Sequence, residues 1–231
     1  MDSKDLIRLK KLQGMNISIN KIELLDYTLS QVHNLFPDRS EYVKKELMNS
    51  FELSLNRLKF CFSKVKNKYF FVDGEVHFNH LHGDQYSMFL YFFSNTLYNN
   101  NIYITLCEKL FLLNKMLFGV DVFYEIKLPN IFLFVHPLGT VIGRGEFNDY
   151  LVVYQGCSIG ANKDVYPILG KYVTLHPNSS VLGDCKIGDN CELASNSLII
   201  DKDLVAETIY FGNPKNSYKK KKKHINNIWD V

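Results

Sequence analysis

Residues 169–200 read LGKYVTLHPNSSVLGDCKIGDNCELASNSLII, and in them Leu169, Leu175, Val181, Ile187, Leu193 and Ile199 recur every six positions. A period of six is neither the 3.6 of a helix nor the strict alternation of a half-buried strand. It fits a triangular coil in which each short strand sends one aliphatic side chain inward and a turn follows. Glycine directly after Leu169 and Ile187 suits such turns. A sandwich of short strands would instead alternate every second residue.

The repeat extends both ways. Val135, Val141, Phe147, Val153 and Ile159 precede it in the same register, and Val205 follows it. The step from Ile159 to Leu169 is ten residues, so about four residues within 161–168 leave the coil as a loop. Before the repeat the pattern is helical. Leu24, Leu25, Leu29, Val32 and Leu35 share one face, as do Val43, Leu47, Phe51, Leu55, Leu58 and Phe62. Pro37 separates these two segments. Tyr69–Val72 followed by Asp73-Gly74 reads as an extended piece and a turn. Helical spacing returns over 84–97 and 104–118, with Asp84 as a candidate N-cap and Gly119 as a stop. The expected class is α+β. A mainly helical domain spans 1–130, the coil spans 131–214, and a basic tail covers 215–231.

With 231 residues, 46% of them apolar, the chain has ample core, and its 27 basic and 24 acidic residues leave a net charge of only +3. No general field invites nucleic acid. Basic character is local, in Lys219–Lys223, where a solvated tail and a phosphate-binding cluster both remain open. Five cysteines form no CxxC pair and the start of the chain has no secretory pattern, so a reduced, cytoplasmic protein is expected. The most apolar run, 88–93, is far short of a membrane span.

Three hexapeptides make an 18-residue coil, so residues 18 apart stack at the strand spacing of roughly 4.8 Å. The position after each inward residue then gives one outward column: His136, Tyr154, His176 after subtraction of the loop, and Ala194. On this reading His136 and His176 lie on one face about 10 Å apart, two strand spacings, with Tyr154 between them.

Four segments together resemble the serine acetyltransferase branch of the hexapeptide-repeat acyltransferases. They are His136-Pro137 with Gly143-Arg144-Gly145, Tyr154–Gly160, Val181–Asn190 and Gly212-Asn213-Pro214, over about 80 residues. The resemblance implies a left-handed parallel β-helix, acetyl-coenzyme A as donor, homotrimers or dimers of trimers, and active sites between subunits. It also implies an Asp-His pair after Gly-Arg-Gly. Here Asp149 and Tyr150 occupy those positions, so the usual base is absent. Where the family carries Arg-His before a proline, Val165 and Tyr166 precede Pro167, removing a cation for an amino-acid carboxylate.

Acetyl transfer to a hydroxyl needs a base, an orienting carboxylate and a donor for the oxyanion. His136 is the first candidate base, with a turn-capping role as the alternative; His82 or Asp84 from the helical domain would reach the base or acceptor. His176, Asp149 and Tyr150 are second choices. Tyr154, Gly160, Tyr166, His176 and Ser195 are expected to line the coenzyme channel. Lys215, Lys219 and Lys220, which follow the segment that relatives thread past the nucleotide end, would meet its phosphates. No metal-ligand spacing is present in the sequence. The expected activity is acetyl-coenzyme-A-dependent O-acetylation of a sugar hydroxyl, as in a surface polysaccharide or its precursor. Serine O-acetylation for cysteine biosynthesis is the alternative, and a non-catalytic trimeric scaffold is the third reading.

Overall fold

A computed structural model describes residues 14–230. The opening stretch 1–13, on which the expectation of no secretory pattern rests, lies outside the described residues. Two compact units emerge, one of residues 14–117 joined by 228–230, the other of 118–227. The expected boundary at 130 therefore lies a dozen residues too late: Asp121–Val122 already pairs with Val141–Ile142 as part of the coil.

In the first unit, β1 (Met15–Ile17) precedes α1 (Lys21–Leu35) and α2 (Lys44–Phe62). A hairpin of β2 (Phe71–Val72) and β3 (Glu75–Phe78) leads to α3 (Gly83–Asn99) and α4 (Ile104–Phe118). Asn20 starts α1 with a capping box to Glu23, satisfying orphan amides at the helix start. Asp73 and Gly74 both have positive φ, 51° and 82°, which closes the hairpin as the Asp-Gly pair promised. The helix α3 is buried from Gln85 to Leu97, so it forms the core on which the others pack. Phe51 meets Phe89 and Phe93 edge-on at 6.0 and 5.5 Å. Arg57 lies over the Phe92 ring and donates to Thr96 Oγ1 at 2.7 Å, so its buried guanidinium is partnered.

The second unit is the coil. Its strands are β4 (Asp121–Val122), β5 (Phe132–Val135), β6 (Val141–Ile142), β7 (Glu146–Phe147), β8 (Leu151–Tyr154), β9 (Ser158–Gly160) and β10 (Ile168–Leu169). They continue as β11 (Thr174–Leu175), β12 (Ser180–Leu182), β13 (Lys186–Ile187), β14 (Glu192–Leu193), β15 (Leu198–Ile200), β16 (Thr208–Asn213) and β17 (Asn216–Lys221). Three walls form, in the orders β17-β16-β14-β11-β8-β5, β15-β12-β9-β6-β4 and β13-β10-β7, all parallel except the β16–β17 pair of the first wall. Leu169, Leu175 and Val181 sit opposite Ile187, Leu193 and Ile199, and all six are almost fully buried.

The loop is where the ten-residue step put it. Phe147, Val153 and Ile159 pair with Leu169, Leu175 and Val181, four residues beyond one coil. Asn162 and Val165 exchange both backbone hydrogen bonds, with Lys163 and Asp164 at positive φ, so the excursion is a tight two-residue hairpin turn.

At both ends the inward register differs from the expected one. Phe134 and Ile142, not Val135 and Val141, pair with Val153 and Ile159, and Leu204, not Val205, bridges to Ile187. Val141 is 44% exposed and Val205 70%. Each true position has an aliphatic neighbour, and periodicity cannot separate adjacent apolar residues although a one-residue slip reverses the face. The wide corner 136–140 accommodates the extra residue, with Thr140 buried and donating to the Tyr154 carbonyl at 2.9 Å.

The basic tail is also corrected. Residues 216–221 pair antiparallel with 208–213 as a hairpin on the first wall, and Trp229 bridges to Val65 in the helical unit.

Candidate functional site

On the outer face of the first wall the ladder runs Val135, Tyr154, His176, Ala194. The Tyr154 and His176 rings stack with centroids 5.5 Å apart and planes 21° apart, as one coil of stacking requires. His136 is not in this column. It follows Val135 at the corner, exposed and at φ 47°, because the inward register at that strand is one residue earlier than the repeat suggests.

A second outward column, one residue before each inward position, places Glu192 beside Thr174. The Glu192 carboxylate receives the His176 Nε2–H at 3.0 Å and pairs with Lys222 Nζ at 2.9 Å. Lys222 comes from the end of the hairpin and is only 5% exposed. The hydrogen bond from His176, aided by Lys222, holds the Glu192 carboxyl down at about 2, against burial that pushes the other way. Burial and the Glu192 charge push the Tyr154 phenol up. With the carboxylate always ionised at neutral pH, neutral His176 carries its proton on Nε2 and presents a basic lone pair at Nδ1. The arrangement is an imidazole held in one tautomer by a largely buried carboxylate, itself paired with a lysine. A Thr174 hydroxyl beside Glu192 is buried with no protein partner.

This geometry has a stability consequence. Glu192 titrates at about 2 in the folded chain against an ordinary 4.5, so its contribution is complete above pH 4.5 and is lost as pH falls from there towards 2. Urea melts across that window are expected to lose up to roughly 3 kcal/mol in the wild type and far less in Glu192→Gln.

The other expected residues are placed as follows. Asp149 accepts from the Ile131 amide at 3.1 Å, a turn-stabilising role. Tyr150 stacks flat on Tyr172, centroids 4.3 Å apart, both at positive φ. Helix α3 is N-capped by His82 rather than Asp84, which lies in its first turn. The His82 ring packs against Tyr69 and Phe70 with a buried, unpartnered Nδ1. Gly160 lies opposite Leu182 within a wall, and Ser195 is exposed in the turn after Leu193. Lys215 sits at the hairpin turn, Lys219 faces Tyr210 in the pairing, and Lys220 lies over the Phe211 and Tyr218 rings at 5.5 and 5.8 Å. Tyr166 and Val165 are exposed and line a groove of about 450 Å³ with Arg144, Glu146 and Asp164. Arg144 is largely exposed and paired only loosely, at 3.5 Å, with Glu125.

Glu192 is not among the residues expected from the sequence, and Lys222 appears there only as one member of the Lys219–Lys223 run. The repeat that generated one outward column also generates the other, so Glu192 was legible. No signal separates Lys222 from its four lysine neighbours before the hairpin register is known.

Comparison with known proteins agrees with the coil. Residues 166–201 match the family model for bacterial transferase hexapeptide (six repeats). A serine acetyltransferase of Synechococcus elongatus is 27% identical over 107 residues, 44% of this chain and 43% of that protein. One from Staphylococcus epidermidis is 24% identical over 142 residues, 59% of this chain and 66% of that protein. The chain thus spans from 43% to 66% of the length of these relatives. Among solved structures, Neisseria gonorrhoeae serine acetyltransferase superposes with a TM-score of 0.57 at 18% identity, covering 79% of this chain and 69% of that one. The Brucella abortus enzyme in complex with coenzyme A gives 0.59 at 13% identity, covering 88% and 76%. By its repeat, its triangular coil and these likenesses, the chain has the fold of the serine acetyltransferases, a helical unit followed by a left-handed parallel β-helix, and residues 166–201 carry the bacterial transferase hexapeptide repeat.

Proposed function

We propose that the protein is an acetyl-coenzyme-A-dependent O-acetyltransferase in which His176, oriented by Glu192, is the general base. The observation that carries this reading is the His176–Glu192 pair on the outer face of the coil. In the reaction the acceptor hydroxyl gives its proton to His176 Nδ1 as its oxygen attacks the thioester carbonyl. The tetrahedral intermediate then collapses, the carbon–sulfur bond breaks, and the imidazolium returns the proton to the leaving thiolate. The coenzyme A in complex with the Brucella abortus enzyme supports the donor. Lys215, Lys219 and Lys220 on the hairpin are suited to its phosphates.

For the acceptor, the names of the relatives favour serine over the sugar hydroxyl expected from the sequence. The argument against serine was the loss of a cation before Pro167. Arg144 lines the same groove as Val165 and Tyr166 and supplies a guanidinium for a carboxylate. Assembly as a homotrimer belongs to the same proposal, with light scattering as its measurement.

Thiol release from acetyl-coenzyme A should be fastest with serine among amino acids and sugars. Turnover confined to sugar acceptors would overturn the serine assignment and restore the polysaccharide reading. Absence of coenzyme A binding by calorimetry would favour the scaffold.

A further inference from the structure

We infer that Lys222 is a positioning residue of the active site, so that the C-terminal hairpin is part of the machinery and not an accessory to it. The inference rests on the reading of His176 as the base.

The groups facing the Glu192 carboxylate come from two neighbouring coils and the hairpin end. His176 stands on one side with Tyr154 stacked behind it, and Lys222 stands on the other. Glu207 is taken up by Lys221 and by the Lys222 amide, which donates to its carbonyl at 2.8 Å. That backbone bond and the β16–β17 ladder fix where the Lys222 side chain enters. A carboxylate 18% exposed with one neutral imidazole as partner would be poorly compensated, and it would seek water by rotating away from the wall. A buried ammonium 2.9 Å away removes that incentive. Glu192 then keeps one rotamer, and His176 keeps its proton on Nε2 with Nδ1 directed to substrate. A lysine only 5% exposed in a run of otherwise exposed lysines has no solubilising role. Its charge is spent inside the wall.

The test uses the full chain labelled with ¹⁵N-histidine, the His176 signals being assigned by their loss in His176→Asn. Wild type and Lys222→Arg should show the Nε2-protonated tautomer of neutral His176. Lys222→Met should show mixed tautomers and a kcat lower by roughly 10- to 100-fold, the range for outer-shell partners, with KM for acetyl-coenzyme A within about twofold of wild type. A wild-type tautomer signature in Lys222→Met overturns the inference even if His176 proves to be the base. An unchanged kcat in Lys222→Met overturns the inference whatever the tautomer, and an unchanged kcat with mixed tautomers overturns His176 as the base as well. If Lys222→Met does not fold, Glu192→Gln/Lys222→Met, which removes both charges together, carries the measurement. A wild-type kcat in that double variant overturns the proposal.

Discussion

Replacing His176 by asparagine is expected to lower kcat by roughly 10²- to 10⁴-fold, the range for loss of a general base, while KM for acetyl-coenzyme A stays within a few-fold. Asparagine keeps a polar side chain of similar reach on the ladder, but it has no lone pair able to take the hydroxyl proton. The fold should survive. His176 packs outward, and Glu192 keeps its pairing with Lys222 when the imidazole is gone. The same substitution at His136 should leave kcat within about twofold, because that residue sits at an exposed corner outside the Tyr154–His176 column. Steady-state kinetics on the two variants decides the matter. A His176→Asn enzyme within threefold of wild type, or a His136→Asn enzyme that is inactive, would exchange their roles.

The largest loss of stability is expected from Leu193→Ala, about 3 to 4 kcal/mol for the β-helix unit. Leu193 is fully buried and faces inward between Leu175 and Tyr210 on the neighbouring coils. Its carbonyl accepts from the His176 amide at 3.0 Å, and the next amide, Ala194, donates to Tyr210 at 2.9 Å. The backbone is therefore pinned on both sides and cannot close the cavity that truncation leaves. In a solenoid each coil touches only its neighbours, so the void is not shared with a wider core. Glu192 lies one residue away, so His176 alignment should suffer with it. Denaturant melts followed on the β-helix unit provide the check. A loss below 1 kcal/mol would mean that the coil relaxes and that the walls are less rigid than their hydrogen bonds imply.

Much of this molecule is written locally. Each hexapeptide names its own inward residue, and a coil of three places every residue beside the one 18 further on. Tyr154 and His176 were therefore neighbours before any coordinate was known, once the four-residue loop was discounted. The helices were legible for a similar reason, since amphipathic spacing and caps such as Asn20 act within a few residues. His136 was misplaced because Phe134 and Val135 are both apolar, and the preference between them comes from the wide corner at 136–140 and from pairing with the next coil. Asp84 lost the N-cap to His82 by a similar margin of two residues.

By itself, then, the sequence determined a helical part, a triangular coil, the place of its loop and one face bearing Tyr154 and His176. Only the tertiary structure decided that Lys219–Lys223 is largely a strand and its end rather than a tail, that Lys222 turns inward, and that it meets Glu192 and through it His176. The reason is range. Hydrophobic period and turn chemistry are local quantities that repeat, and repetition makes them readable. An ion pair between residues 192 and 222 depends on the register of an antiparallel hairpin on a parallel wall, which no local pattern encodes.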